Sequence, residues 1–305
     1  MISGRKAVGR KTLVIFMAVF LPLLTGVQAC RRRTPEKPVP KYEFNPENQP
    51  WHVAMEVGII AAQNGKYDRA ISELKRSISL NQDYAPPYAF LGLIYAKVGE
   101  KDRARAFVER ALRIDSQNEI ALENLGVLLA EEKEYRRAQK CLEKAVQVNP
   151  RNINARFNLA QIFKIQGETN KAIQEFLKLI NQVPDVPAFH YHLGVLYQMK
   201  GFTDQAIEEY ARTVELAPVK YLEAYYHLAA IHHAEKNYDQ AESNYRKVIK
   251  SDDQHLQSYI GLGDLFFDRG EYQQARSYYK KALAIAPENR YCFNALARIS
   301  QVLEE

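Results

Sequence analysis

The sequence has little of what catalytic and disulfide-built proteins depend on. Three cysteines in 305 residues cannot form a disulfide framework. No GxSxG, P-loop, HExxH or CxxC pattern occurs, and no pair of carboxylates falls in an evident cleft. An autonomous enzyme is therefore not expected, and neither is a cofactor or a metal. Past the first thirty residues there is no long apolar run, which excludes a polytopic membrane protein. The body also lacks a charge excess. The chain carries a formal +6 with a pI near 9.0, yet residues 51–305 hold 33 bases and 33 acids, so the whole excess lies in the first 50 residues. A basic nucleic-acid face is therefore not predicted by bulk charge. Tandem charges such as Glu131-Glu132 and Lys280-Lys281 read as solvated helix faces. Cys141 and Cys292 fall in helical patterns, where a free cysteine acts as a small buried hydrophobe.

The basic N-terminus reads as an export signal. Arg5, Lys6, Arg10 and Lys11 precede a mostly apolar run of fifteen, Leu13 to Val27, with Pro22 inside it. That length suits a signal-peptide core and is short for a membrane-spanning helix. The run ends in Val27-Gln28-Ala29-Cys30, which resembles a bacterial lipobox with Cys30 as the lipidated residue. Val27 replaces the usual Leu and Gln28 the usual small residue, so an uncleaved signal anchor and simple secretion stay open. Arg31-Arg32-Arg33 follows directly. Positive charge there resists translocation, but it would meet anionic headgroups if Cys30 were acylated. Residues 1–29 are thus a lipoprotein-type signal or a signal anchor.

Residues 30–50 hold Pro35, Pro38, Pro40, Pro46 and Pro50. Proline fixes φ and removes the N–H that helix or sheet would use. This stretch is expected to be an extended tether, reaching at most about 60 Å at roughly 3.1 Å per residue.

The remainder repeats. Ala70, Ala104, Ala138, Ala172 and Ala206 are spaced by 34 residues, followed by Ala241 and Ala275. Twelve positions before each stands a small residue, Gly58, Gly92, Gly126, Ala160, Gly194, Ala229 or Gly263. Four positions after each stands a larger one: Leu74, Val108, Leu142, Phe176, Tyr210, Tyr245 or Tyr279. Apolar residues within each unit recur at three- and four-residue steps, which predicts a pair of helices. Gly65, Gly99, Gly167, Gly201 and Gly270 separate the two halves as turns or helix ends. The small residue and the Ala would let the paired backbones approach, and the larger residues would fill the space between units. One unit cannot bury its apolar face, so neighbours must stack.

These units resemble the tetratricopeptide repeat family in the motifs Leu91-Gly92-Leu93-Ile94-Tyr95 and Gly270-Glu271-Tyr272-Gln273-Gln274-Ala275, and in the closing Pro150, Pro184, Pro218 and Pro287. The resemblance implies an all-α, right-handed solenoid of seven helix pairs over residues 51–289: 51–84, 85–118, 119–152, 153–186, 187–220, 222–255 and 256–289. Residue 221 is an insertion. Residues 290–305 would form a capping helix with Arg298, Gln301, Glu304 and Glu305 on a polar outer face.

The resemblance also implies a groove lined by the first helices, which binds peptides. Carried over repeat by repeat, its residues are Phe157, Asn158, Gln161, Tyr191, His192, Val195, Tyr226, His227, His233, Asp264, Phe267 and Asp268. Lys164, Gln198, Glu223 and Ile260 join them, with Ala89, Leu93, Lys97, Glu123, Asn124, Val127 and Glu131 in the second and third repeats. Aromatics and histidines concentrate in the C-terminal half, where the alternative role is packing between helices. No Lys stands at the groove's fifth positions, so a clamp for a chaperone's C-terminal carboxylate is not expected. Five of the seven histidines lie between 190 and 233, and polar groove or core roles outrank metal binding. The expected function is a membrane-tethered, periplasm-facing scaffold in a bacterial envelope, with a protein or peptide partner. Arg31 rather than Asp after Cys30 favours the outer membrane. Lipoproteins of this build include type IV pilus secretin pilotins and hydrolase adaptors. The alternative is a non-catalytic accessory of polysaccharide export or of a glycosyltransferase.

Overall fold

In the computed structural model, residues 49–304 are described. The signal segment, Cys30 and most of the proline-rich tether lie outside them. The described residues form fifteen α-helices and no strand. In order, they are α1 (Pro50–Gln63), α2 (Tyr67–Leu80), α3 (Ala85–Lys97), α4 (Lys101–Ile114), α5 (Glu119–Glu131), α6 (Tyr135–Val148), α7 (Ile153–Ile165), α8 (Thr169–Gln182), α9 (Pro187–Met199), α10 (Thr203–Leu216), α11 (Leu222–Ala234), α12 (Tyr238–Ser251), α13 (Leu256–Asp268), α14 (Tyr272–Ile285) and α15 (Arg290–Glu304). The fold is an all-α repeat solenoid. It divides into two compact units at Glu168/Thr169, inside the fourth repeat, so α7 belongs to the first unit and α8 to the second. Within each unit a first helix packs on its second helix, and that second helix packs on the next first helix.

The close packing has a simple origin. At Gly58, Gly92 and Gly126 in the first unit, and at Gly194 and Gly263 in the second, the place of a Cβ is taken by the large side chain of the paired helix. A Cβ there would lie 2.9 Å from Leu74, 2.4 Å from Val108, 2.6 Å from Leu142, 2.9 Å from Tyr210 and 2.6 Å from Tyr279. The large residues therefore sit over the small residue of their own repeat, and Tyr210 and Tyr279 also meet the next one, at His227 and Tyr291. Tyr245 departs from this. Its own repeat has Ala229 at the small position, and its ring lies against Gly261 of the next repeat, 2.5 Å from where a Cβ would be.

The turn between paired helices is a Schellman closure in every repeat. Within it, the third residue past each first helix bonds five residues back, as in Lys66 N–H to Ala61 O at 2.9 Å and Glu271 N–H to Phe266 O at 2.8 Å. The residue before it needs positive φ. Glycine supplies this in five repeats, but Lys133 (φ 65°) and Lys236 (φ 61°) occupy it in the third and sixth. Side-chain caps close other ends: Asn118 and Asn152 accept from Ala121 and Ala155 N–H at 3.0 and 2.9 Å.

The last helix, α15, buries Cys292, Ala295 and Ile299. Arg298, Gln301 and Glu304 are exposed as expected, but Tyr291 and Phe293 share that exposure. The outer surface is therefore less polar than the sequence implies. Cys141 is half-buried and Cys292 fully buried.

Two substitutions check this packing and turn geometry by urea unfolding. Lys133→Gly should stabilise by about 1 kcal/mol, because glycine adopts positive φ without the Cβ penalty. Gly263→Ala should destabilise by about 1–3 kcal/mol, because the Tyr279 ring it meets is tied by its hydroxyl to Asp264.

Candidate functional site

The first-helix positions differ between the two units. In the first, several are consumed by packing, although Lys97 and Glu131 are exposed. Ala89 and Val127 are buried, and Asn124 is buried with its Nδ2 donating to Ala89 O at 3.0 Å, which ties α5 to α3. Phe157 is 2% exposed and Gln161 9%, so these two expected groove residues present almost no surface; Asn158 is half-buried. Burial lowers the pKa of Lys97 and of Lys164. Glu123 accepts from Asn152 Nδ2 at 3.0 Å, and burial, opposed by that hydrogen bond, raises its pKa to about 7.

In the second unit the corresponding residues stay half-exposed and meet one another. Tyr191, on α9, has its ring 5.7 Å from Tyr221, 6.2 Å from His227 and 5.4 Å from His192. His227, on α11, stacks on Tyr210 at 5.0 Å with an interplanar angle of 5°. Tyr226 lies 5.7 Å from His227, 6.0 Å from Tyr245 and 5.4 Å from His255. On α13, the Asp264 carboxylate accepts from Tyr279 at 2.6 Å and Tyr291 at 2.8 Å. His233 Nε2 and Asp268 Oδ2 are 3.0 Å apart, and Phe267 stands edge-on to Tyr272. The structure thus joins Tyr191, His192, Tyr226 and His227 through ring contacts, and places Asp264, Phe267 and Asp268 together on α13. Val195 is half-buried beside them on α9.

Burial raises the pKa of the tyrosine hydroxyls in this region. It pushes Tyr191 up to about 12, aided by Glu223, and drives Tyr210, Tyr245 and Tyr279 higher still. Burial also raises Asp264, opposed by the two tyrosine hydroxyls. Tyr191 and Tyr226, both part-exposed, combine an apolar body with a polar tip, which suits a recognition surface.

Further residues of this region do not follow from the repeat register: Tyr221, His255 and Tyr291 at its surface, with Tyr210, Tyr245 and Tyr279 buried beneath it. The signal was present, since the large second-helix residue changes from Leu74, Val108 and Leu142 to Tyr210, Tyr245 and Tyr279. Tyr221 is the inserted residue, which explains its missed role: it falls outside the period but lands beside Tyr191.

The histidines have separate partners. His190 Nδ1 is 2.6 Å from Glu209 and its Nε2 is 2.7 Å from Pro184 O. Burial pulls its pKa down, but those two bonds outweigh this and the net direction is up. His255 caps α13, its Nδ1 accepting from Ser258 N–H at 3.2 Å, while Nε2 lies 3.6 Å from Glu223. Among the described residues no group of three or more His, Cys, Asp or Glu is placed to hold a metal. A shallow depression by Tyr238 and Arg269 lies at the turn after α11. Its arginine is already paired, at 2.6 Å from Glu271 and 3.2 Å from Glu242.

Profiles described as tetratricopeptide repeat or TPR repeat match residues 61–125, 120–152, 141–174, 160–201 and 220–288. The chain belongs to the tetratricopeptide repeat (TPR) family. Solved structures agree on the fold. A TPR protein from Cytophaga hutchinsonii, resolved in its C-terminal part, is 18% identical with a TM-score of 0.63, covering 79% of this chain and 99% of that one. The structure from a functional characterisation of Pseudomonas aeruginosa pilF is 20% identical, TM-score 0.59, over 71% and 96%. YrrB, described as a TPR protein with an unusual peptide-binding site, is 21% identical, TM-score 0.54, over 61% and 95%. At these identities the likeness concerns the fold. No curated protein matches the sequence.

Within this TPR array, Glu123 yields a pH test. An acid whose pKa is raised by folding favours the fold below its unfolded value, and that contribution is lost as pH rises through the folded value. Between pH 4.5 and 7, the protein should lose on the order of 2 kcal/mol relative to Glu123→Gln. Urea titrations of both proteins across that range check it.

Proposed function

We propose that this chain is a non-catalytic, membrane-tethered TPR scaffold that holds a protein or peptide partner against the first-helix face of α9, α11 and α13. The observation that carries the reading is the contrast between the units. In the first, Ala89, Asn124, Val127, Phe157 and Gln161 are buried and Lys97 and Glu131 stand exposed at the edge, while in the second the same positions form a connected, half-exposed surface of tyrosine, histidine and carboxylate. Rigid aromatic bodies bury much area at low entropic cost, and their hydroxyls and imidazoles orient main-chain groups. The peptide-binding description of YrrB, a protein of like fold, is consistent with this use.

The tether rests on sequence. An apolar run of signal-peptide length, Cys30 at its end and five prolines before the first repeat suit a domain held off a membrane by lipid and linker. The reading places the chain in a bacterial envelope, facing the periplasm from the outer membrane. There it would support assembly of a complex such as a pilus or secretion secretin. One acyl chain binds a membrane only marginally, so Arg31, Arg32 and Arg33 beside it would add a second attraction.

Crosslinking in membranes followed by co-purification identifies the partner. Tyr191→Ala combined with Tyr226→Ala should cut its recovery at least tenfold with helicity retained; unchanged recovery removes the proposed face. Cys30→Ala should abolish incorporation of a fatty-acid analogue, and continued labelling refutes lipidation at that residue.

A further inference from the structure

The three first helices that build this face contain no lysine and no arginine. Their charged residues are three carboxylates, Glu223, Asp264 and Asp268. Glu223 and Asp268 are well exposed, with side chains 60% and 54% accessible. Asp264 is held between two tyrosine hydroxyls, both on Oδ1. Ring faces stand beside these acids: Tyr226 on α11 and Phe267 on α13. A body with equal numbers of acids and bases overall thus leaves the first helices of its second unit acidic, with Glu223 beside His255 at the start of α13 and Asp264 and Asp268 toward its end.

The chain's own cations show what such rings attract. The Arg298 guanidinium lies over Phe267, 5.0 Å from the ring centroid, and makes no ion pair among the described residues. At the other end of the face the Lys220 ammonium approaches the Tyr221 ring at 6.0 Å. Both are cation–π geometries, and each is supplied from outside α9, α11 and α13.

We infer that the partner segment recognised by this face carries arginine or lysine, its cations received by Glu223, Asp264 and Asp268 and by the face of Tyr226. This rests on the peptide-scaffold reading above and narrows it to a basic segment. Guanidinium is the better fit, because a plane can lie on a ring while its edge donates to a carboxylate. Opposite charge across the contact would also steer association and exclude acidic segments.

The test uses three fluorescein-labelled sets of degenerate twelve-residue peptides, identical except that three fixed positions are arginine, glutamine or glutamate. Fluorescence anisotropy with the whole protein should show the arginine set binding at least tenfold tighter than the glutamine set, with the glutamate set weakest. The preference should shrink as salt rises. Glu223→Gln with Asp268→Asn, both at exposed positions, should lower affinity for the arginine set several-fold. Adding Asp264→Asn, which keeps an acceptor for the tyrosines, should bring it to the glutamine level with unchanged circular dichroism. Equal binding of all three sets, or an arginine preference that survives the triple substitution, overturns the inference. If the sets bind equally but binding is lost in Tyr191→Ala/Tyr226→Ala, the charge inference fails and the scaffold reading stands. If no set binds and that double variant also captures its partner normally, both fail.

Discussion

The contact between a large second-helix side chain and a small first-helix residue is the constraint on which the rest of this structure depends. It sets how closely paired helices approach, and so determines which first-helix positions remain for other uses. With a glycine beneath it, a side chain can fill the place of the missing Cβ, as Leu142 does at Gly126 and Tyr279 at Gly263. A 34-residue unit has too little apolar surface to fold alone, so this interlock must be repeated and each copy closed by its neighbour.

The identity of the large residue has a second consequence. Leu74, Val108 and Leu142 end in methyl groups and can only pack. Tyr210 and Tyr279 fill the same position but extend a hydroxyl beyond it, to Gln198 at 2.8 Å and to Asp264 at 2.6 Å. The core thereby contributes polar donors to the first-helix face. Packing and recognition are served by one residue, which is why Tyr210 both covers Gly194 and stacks on His227. In the first unit the large residues Leu74, Val108 and Leu142 are aliphatic, and Ala89, Asn124 and Val127 are buried at first-helix positions.

The fold was readily legible, because period, small–large spacing and turn glycines are local properties that a stack must repeat. Lys133 and Lys236 hid two of the turns, since hydrogen bonds of the Schellman closure hold a non-glycine residue in the left-handed region. The candidate surface was legible only in part. Tyr191, His192, Tyr226, His227, Asp264 and Asp268 follow from the repeat register, and the structure joins them to a half-exposed surface. Phe157 and Gln161 follow from the same register but are buried, because register specifies direction and not how closely the next element lies. Tyr221 was invisible to it, standing at an insertion that the period skips.

The central claim is that one face, made by the first helices of the second unit, is the surface this protein offers to a partner. Hydrogen–deuterium exchange of the full chain with and without the crosslink-identified partner tests this most directly. Amides at the exposed ends of α9, α11 and α13, and in the turns that follow them, should gain protection on binding, while α10, α12 and α14 remain as in the free protein. Protection confined to the second helices, or to the first unit, would contradict the account.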